Sequence, residues 1–223
     1  MSATTTLPET AAADTPEHPD VRKLKKKIRR LELAIESSRQ FNSTLDADAL
    51  MDQVLNEVAE VINAEAGSFW VLDTESNQIL CKVATGPAKE KVQGMRLETG
   101  KGIVGWTIAN KRKTVVFDAA KDDRFFNQAD KETNFITKSL FCVPLMVNQE
   151  CVGALSMLNK QTADGIFDQE DLEVLEMLAL NAAVAIKNAQ LFQSQLRIKE
   201  LIILLTIAKE VTEIGRASCR ERV

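Results

Sequence analysis

Residues 139–171 read SLFCVPLMVNQECVGALSMLNKQTADGIFDQED, and this stretch decides the fold. Two apolar runs flank the polar turn at residues 147–150, as in two antiparallel strands joined by a hairpin. Asn159 and Lys160 follow the second run, and Phe167 and Asp171 then open a long helical pattern. This order of elements predicts the second half of a small domain built on an antiparallel sheet.

Upstream of this stretch, two kinds of hydrophobic periodicity supply the remaining elements. An apolar stripe over residues 50–62 predicts a helix, and residues 68–73, 78–84 and 114–117 have the composition of strands. Residues 97–106 place three glycines before and within a short helix. They lack both the GxGxxG and the GK[ST] spacing, so the segment is not a phosphate loop.

The predicted fold is α+β, an α/β sandwich in which a six-stranded antiparallel sheet carries helices on its faces. Helices 50–62 and 168–192 are expected to pack together on one face of the sheet. The helical pattern continues without Gly or Pro to Thr212 and resembles a coiled coil. One small domain cannot bury a helix of this length, so the distal half is expected to pack on another chain or domain.

The chain divides into five segments. Residues 1–20 form a Thr-, Ala- and Pro-rich tail expected to be disordered, and residues 21–44 a helix with a coiled-coil seam. The main domain covers 45–192, and 193–212 is a linker helix and a candidate entry to a truncated second domain, since residues 201–214 echo the hydrophobic rhythm of residues 31–44. Residues 213–223 resemble a translated sequencing adapter and are excluded from fold reasoning. An output domain is therefore expected beyond Thr212 in the native protein.

Composition excludes several classes of function. A net charge of −4 over 223 residues argues against nucleic-acid binding, and the run 201–205 is too short to cross a membrane. Seven of the nine residues 22–30 are basic, which is usually a solvated helix face and alternatively a membrane or nucleic-acid patch. The strand-like segments hold three cysteines expected to be buried reduced thiols of a cytoplasmic protein: Cys81, Cys142 and Cys151. His18, the only histidine, lies in the tail, so haem ligation, His-based metal sites and His general-base chemistry are excluded from the domain. No metal or cofactor is expected.

Residues 45–192 resemble a GAF domain, and within that family they lean toward the cyclic-nucleotide-binding branch of phosphodiesterases and adenylyl cyclases. That branch carries Asn-Lys, a variable gap, Phe, three residues and Asp-Glu. Four positions match, namely Asn159, Lys160, Phe167 and Asp171, whereas Leu172 replaces the final Glu. The resemblance implies that the Lys and the Asp pair with each other and brace the fold. Asp168 and Asp171 also have the spacing of a helix N-cap.

The resemblance further implies a ligand site under residues 124–139, which are similar to the lid of nucleotide-binding GAF domains. The implied ligand residues lie on the lid, on the sheet, and at a helix N-terminus where backbone N–H groups would face a cyclic phosphate. In that order they are Phe126, Asp130, Thr133 and Thr137; Ser68, Thr85 and Ser156; and Ile103 and Val104. The alternative is that these polar residues only cap and solvate a surface loop. The expected ligand is cAMP or cGMP, and the hydroxyl of Thr85, where guanine-selective relatives often carry an acid, favours cAMP.

Three functions follow from the resemblance. The first is a regulatory, non-enzymatic module that senses a cyclic purine nucleotide and relays the signal through a parallel homodimer, in which Leu24, Ile28 and Leu31 meet their counterparts. The second is a GAF domain used only for dimerisation and signal relay. The third is an enzyme, since one GAF family reduces free methionine sulfoxide, but neither a base nor an activated nucleophile stands near the cysteines.

Overall fold

The computed structural model describes residues 20–21, 24–25, 27–29, 31–32, 35–36, 47–73, 76–126 and 128–220. Residues 47, 128–129 and 210–220 are described by their backbone alone. The predicted disordered tail up to residue 19, and residues 221–223 of the adapter-like segment, lie outside these ranges. The described residues between 20 and 36 are helical, and their seam positions are exposed: Val21, Leu24, Ile28, Leu31 and Ile35.

The main domain alternates short helices with a single sheet. Its helices are α1 (Ala47–Val61), α2 (Lys89–Val92), α3 (Gly102–Asn110), α4 (Gln128–Thr133) and α5 (Gln169–Arg220), with a 3-10 turn at Ala119–Lys121. Its strands are β1 (Ala64–Asp73), β2 (Gln78–Thr85), β3 (Arg96–Glu98), β4 (Thr114–Val116), β5 (Leu140–Val147) and β6 (Glu150–Lys160).

The six strands form one antiparallel sheet in the order β3-β2-β1-β6-β5-β4. The hairpin between β5 and β6 turns at Asn148, whose φ of 56° lies in the left-handed region that asparagine tolerates. Gly153 lets β6 approach β1, because a Cβ there would lie 2.0 Å from the carbonyl oxygen of Trp70. The predicted fold class and sheet are confirmed.

Helices α1 and α5 cover one face of the sheet. Val54 and Leu55 of α1 and Leu175 of α5 are buried against Phe69 and Met157 of the sheet in one core cluster. Burying each such side chain stabilises the fold by about 1.5–3 kcal/mol. The prediction that these two helices pack together on one face is therefore confirmed.

The opposite face has a thinner cover made of α3 and the segments around it. Because side chains alternate along a strand, Phe69 points to the helix face while its neighbour Trp70 belongs to a second cluster. That cluster joins Trp70 and Cys142 of the sheet to Ile103 and Ile108 of α3. Helix α3 has only nine residues, and Val92 of α2 and Phe125 also pack against this cluster.

Helix α5 continues far beyond the sheet. Its 52 residues correspond to roughly 78 Å at about 1.5 Å per residue. Beyond the domain core its large apolar side chains are exposed: Leu191, Phe192, Leu196, Ile198, Leu201, Ile202, Ile203, Leu204, Leu205 and Ile207. Despite these exposed apolar side chains, no helix in the described ranges combines the length and the hydropathy needed to cross a membrane.

Candidate functional site

A cavity of about 510 Å³ opens between the second face of the sheet and helices α2, α3 and α4. Its volume lies within the range of about 300–1,000 Å³ typical of small-molecule sites. All nine residues that the sequence assigned to a ligand line it: Ser68, Thr85, Ile103, Val104, Phe126, Asp130, Thr133, Thr137 and Ser156. The structure brings them together, and their contact with a ligand stays a prediction.

Two serines form the polar floor of the cavity. Ser68 and Ser156 face each other across the paired strands β1 and β6, with their Oγ atoms 2.7 Å apart. Trp70 Nε1–H donates a hydrogen bond of 2.7 Å to Ser68 Oγ. The serine pair has two hydroxyl protons and uses one between its members, so one proton remains for a third group.

Thr85 forms part of the wall where β2 ends, and its hydroxyl donates to Asn56 Oδ1 of α1. The Asn56 Nδ2 group donates in turn to the main-chain oxygen of Asp52, 2.7 Å away. Asp52 Oδ1 lies 2.6 Å from Lys89 Nζ of α2. A chain of polar contacts therefore leads from the cavity wall to the helix face of the domain.

The N-terminus of α3 supplies a positive end to the cavity. Its N-cap residue, Lys101, makes no side-chain capping hydrogen bond, and the first N–H groups of a helix have no partner within the helix. The Lys101 ammonium lies 4.3 Å from the ring centroid of Phe126, within the range of a cation–π contact. The helix dipole and Lys101 both favour an anion beside Ile103 and Val104.

Two residues of the lid, which is formed by residues 124–139, bond to each other. Asp130 of α4 accepts hydrogen bonds from the Thr137 backbone N–H at 2.7 Å and from the Thr137 hydroxyl at 2.8 Å. Thr133 Oγ1 accepts from the Phe135 backbone N–H at 3.2 Å. Both oxygens of Asp130 are thus engaged by Thr137, although both residues line the cavity. The Asp130–Thr137 pair, called the latch below, holds α4 close to the segment that precedes β5.

Asn159 anchors the end of the lid to the sheet. Its Oδ1 accepts from the Lys138 backbone N–H at 2.7 Å. Its Nδ2 donates to Ile136 O and to Glu65 Oε2, each 2.8 Å away. The amide group of this motif residue therefore connects the lid to β1 and leaves α4 to span the cavity.

Lys160 and Asp171 form a buried ion pair, with Lys160 Nζ 2.6 Å from Asp171 Oδ2 and the two side chains 6% and 0% exposed. Lys160 also donates to Ile62 O, and Phe167 lies beside its ammonium group. Asp171 Oδ2 accepts from the Asp168 N–H at 3.0 Å while Asp168 Oδ1 accepts from the Asp171 N–H at 2.8 Å. This reciprocal N-cap starts α5, and neither member of the ion pair lines the cavity.

The three domain cysteines are buried, and none of them forms a disulfide with another. Burial raises the pKa of Cys81 and of Cys142 to about 12, and burial likewise raises the pKa of Cys151. A thiol with such a pKa is almost entirely protonated at neutral pH and is a poor nucleophile. Within the ranges that the structure describes, no three His, Cys, Asp or Glu side chains cluster as metal ligands would.

The sequence did not identify several residues that line the cavity. Trp70 and Phe125 add aromatic surface, and Arg96, Glu98 and Lys101 add charge. Lys101 had the clearest signal, since it stands between two glycines at the start of a predicted helix. Arg96 and Glu98 belong to β3, a strand of three residues that is too short to show periodicity.

Comparison with protein families and curated proteins gives a consistent result. The GAF domain model matches residues 46–186. The chain is 26% identical over 161 residues to the probable 3',5'-cyclic phosphodiesterase pde-5 of Caenorhabditis elegans, covering 68% of this chain and 22% of that protein. It is 28% identical over 195 residues to the cGMP-specific 3',5'-cyclic phosphodiesterase of Drosophila mojavensis, covering 82% and 18%. The chain thus spans about a fifth of the length of these relatives.

Solved structures share the fold at low sequence identity. The GAF domain of an Acinetobacter phosphoenolpyruvate-protein phosphotransferase is 22% identical with a TM-score of 0.63, over 74% of this chain and 97% of that chain. The free methionine-R-sulfoxide reductase of Neisseria meningitidis is 20% identical with a TM-score of 0.61, over 74% and 92%. At this identity the similarity concerns the fold alone.

Proposed function

The chain belongs to the GAF family of sensory and regulatory domains, and on this premise we propose that its cavity binds a cyclic purine nucleotide, cAMP or cGMP. The observation that carries the proposal is the convergence of three kinds of group on one cavity. They are an aromatic ring on the lid, hydroxyl groups on the sheet and a positively charged helix end. A cyclic purine nucleotide needs a partner for each of its parts, namely the base, the ribose and the phosphate.

The phosphate is assigned to the N-terminus of α3. Ile103 and Val104 line the cavity there, and the first backbone N–H groups of a helix carry its partial positive charge. Lys101 adds a full charge at the same end. The base then lies between Phe126 and the floor formed by Ser68 and Ser156, where hydroxyl groups meet its polar edge.

The names of the curated relatives support this ligand class. Those reported above are named as phosphodiesterases of 3',5'-cyclic nucleotides, one of them cGMP-specific. The sulfoxide reductase alternative rests on a shared fold, and the raised pKa of each buried thiol argues against cysteine chemistry here. We therefore place the domain as the sensor of a longer signalling protein and not as its catalyst.

Isothermal titration of the chain with cAMP, cGMP and 5'-AMP tests the proposal. Binding of at least one cyclic nucleotide, tighter than 5'-AMP, is expected. Lys101→Gln should weaken binding by about two- to fivefold because it removes one charge near the phosphate. Arg112→Gln is the matched control, since Arg112 is exposed and does not line the cavity. Absence of heat with both cyclic nucleotides at millimolar concentration would favour the alternative of a domain that only dimerises.

The relay is proposed to run through a parallel homodimer of the helical extensions. Ten large apolar side chains between Leu191 and Ile207 are exposed on α5, and so much exposed apolar surface supports a partner. We expect a chain ending at Thr212 to sediment as a dimer and a Leu201→Glu, Leu205→Glu double variant to sediment as a monomer. Oxidation of a Leu201→Cys variant should cross-link a parallel pair. A monomer at micromolar concentration contradicts the relay and leaves the ligand proposal intact.

A further inference from the structure

We propose that Arg124 is a positioning residue for the ligand, because it attaches the start of the lid to α3 and thereby places Phe126 in the wall of the cavity. Arg124 does not line the cavity, and neither do the two residues that it contacts, Trp106 and Asp122. These three residues are called the lid-entry cluster below. The inference rests on the proposed function, since it concerns the lid of the same cavity.

Asp122 holds Arg124 through its main chain and its side chain. Asp122 Oδ1 accepts hydrogen bonds from the Arg124 backbone N–H and from Arg124 Nε–H, each at 2.9 Å, and Asp122 Oδ2 accepts from Nη2 at 2.7 Å. The main-chain oxygen of Asp122 accepts from the Phe125 N–H, also at 2.9 Å. A bidentate pair of this kind fixes the plane of the guanidinium group as well as its position. The turn at residues 122–125 is therefore held by contacts within itself.

Trp106 connects this turn to α3. Arg124 Cζ lies 4.7 Å from the centroid of the Trp106 ring, within the range of a cation–π contact. The side chains of Arg124 and Asp122 are 35% and 16% exposed, so salt and water weaken these contacts less than they weaken a fully exposed pair. The turn that begins the lid is thus attached to the helix whose N-terminus is assigned to the phosphate.

Phe126 contacts the same helix one turn nearer to its N-terminus. The Lys101 ammonium lies 4.3 Å from the Phe126 ring centroid, and a Cβ on Gly102 would lie 3.3 Å from Phe126 Cβ. Gly102 and Trp106 are separated by about 6 Å along the helix, at about 1.5 Å per residue. The two residues of chain from Arg124 to Phe126 span at most about 7 Å. The start of the lid therefore runs along α3 in the opposite direction, with Arg124 and Phe126 against successive turns.

This attachment prepares the cavity before a ligand binds. Phe125 packs against the core cluster of this face, and both Phe125 and Phe126 line the cavity. Without the contacts of Arg124, these two aromatic side chains would have to be ordered when the ligand binds, which lowers the affinity. We therefore expect the loss of Arg124 to weaken binding, although Arg124 does not line the cavity.

Isothermal titration with cAMP and cGMP tests the inference on variants of the lid-entry cluster. Arg124→Met and Trp106→Ala should each weaken the tighter-binding nucleotide by about three- to tenfold, the value of one partly shielded cation–π contact. The double variant should bind no more weakly than either single variant, because both substitutions remove the same contact. Arg124→Lys keeps the charge without the planar fork and should recover only part of the affinity.

Asp122→Asn separates positioning from simple attraction of an anionic ligand. If Arg124 acted through its charge alone, the loss of a nearby negative charge would leave nucleotide binding unchanged or tighten it. If Asp122 holds Arg124 in place, the same substitution should weaken binding by about threefold. The exposed Lys121–Asp118 pair of the same loop supplies matched controls. Asp118→Asn and Lys121→Met make the same changes of charge outside the cluster and should alter the affinity by less than about twofold.

Fluorescence measures the attachment without any ligand. Trp106 is one of two tryptophans in the chain, so in a Trp70→Phe background the emission comes from Trp106 alone. Quenching of this emission by acrylamide should increase when Arg124→Met uncovers the ring. Unchanged quenching overturns the inference.

The outcomes distinguish the inference from the proposed function. Thermal unfolding checks that each variant is folded, and Arg124→Lys and Asp122→Asn replace Arg124→Met if it is not. Unchanged affinity in Arg124→Met, additive losses in the double variant or tighter binding by Asp122→Asn overturns the inference and leaves the proposed function intact. Failure of both cyclic nucleotides to bind the wild-type chain overturns both.

Discussion

Removing the charge of Asp171 tests whether the Lys160–Asp171 pair braces the fold. The two side chains are 6% and 0% exposed, and the carboxylate also caps α5 through the Asp168 N–H. Asp171→Asn keeps the shape and one acceptor for the Asp168 N–H. It leaves the ammonium group of Lys160 buried beside Ile62 O and the Phe167 ring, without the carboxylate that forms its buried ion pair.

The expected loss is large. Breaking a buried ion pair by removing one partner destabilises a protein by about 3–5 kcal/mol, because the remaining charge stays desolvated. We expect Asp171→Asn to lower the free energy of unfolding by about 3 kcal/mol, the low end of this range, because the N-cap hydrogen bond is kept. Asp171→Ala should lose about 1 kcal/mol more, since it also removes the cap. Adding Lys160→Met to Asp171→Asn should recover most of the loss by removing the unpaired charge.

Urea unfolding followed by tryptophan fluorescence measures these differences, since Trp70 is buried and becomes exposed on unfolding. The matched control is Glu176→Gln, which breaks the Lys113–Glu176 pair, whose side chains are 51% and 43% exposed. That control should cost less than about 1 kcal/mol. If Asp171→Asn costs no more than Glu176→Gln, or if Lys160→Met does not rescue it, the bracing role is refuted.

Two further predictions concern the sheet. Gly153→Ala should destabilise the domain by about 1–3 kcal/mol in the same assay, because the new Cβ would lie 2.0 Å from the Trp70 oxygen and force β6 away from β1. Burial raises the pKa of Cys81 and Cys142 from 9.0 to about 12, so the folded state holds these protons more tightly than the unfolded chain. The free energy of unfolding should therefore fall as the pH rises from 9 toward 12, and less steeply in a Cys142→Ala variant.

The long elements of this fold were predictable from sequence because each buries one face with a regular period. The stripe of α1 and the apolar runs of β5 and β6 gave both the type and the approximate position of each element. Five of the six strands were located in this way. The sixth, β3, has three residues and one half-buried side chain, so its pairing with β2 depends on tertiary contacts that no local pattern records.

The members of the candidate site were predicted by resemblance to a family, but their partners were not. Thr85 bonds Asn56, 29 positions earlier, and Ser68 bonds Ser156, 88 positions later. Such pairs depend on the register of the sheet and on the angle at which α1 crosses it. The latch between Asp130 and Thr137 spans only seven positions, but the sequence predicted only a ligand contact at these residues and not the bonds between them. The ligand contact stays a prediction, since both residues also line the cavity.

The strands that form the floor also connect the cavity with the helix face. Ser68 is flanked in β1 by Phe69, and Ser156 is flanked in β6 by Leu155 and Met157, which pack under α1 and α5. Protein cores are closely packed and resist local compression, so a ligand that moves the two serines would move the residues beside them. The Thr85–Asn56 contact adds a second route, directly to α1. Because α5 extends from this same core to its exposed apolar residues, the proposed relay would start with a small displacement at the floor.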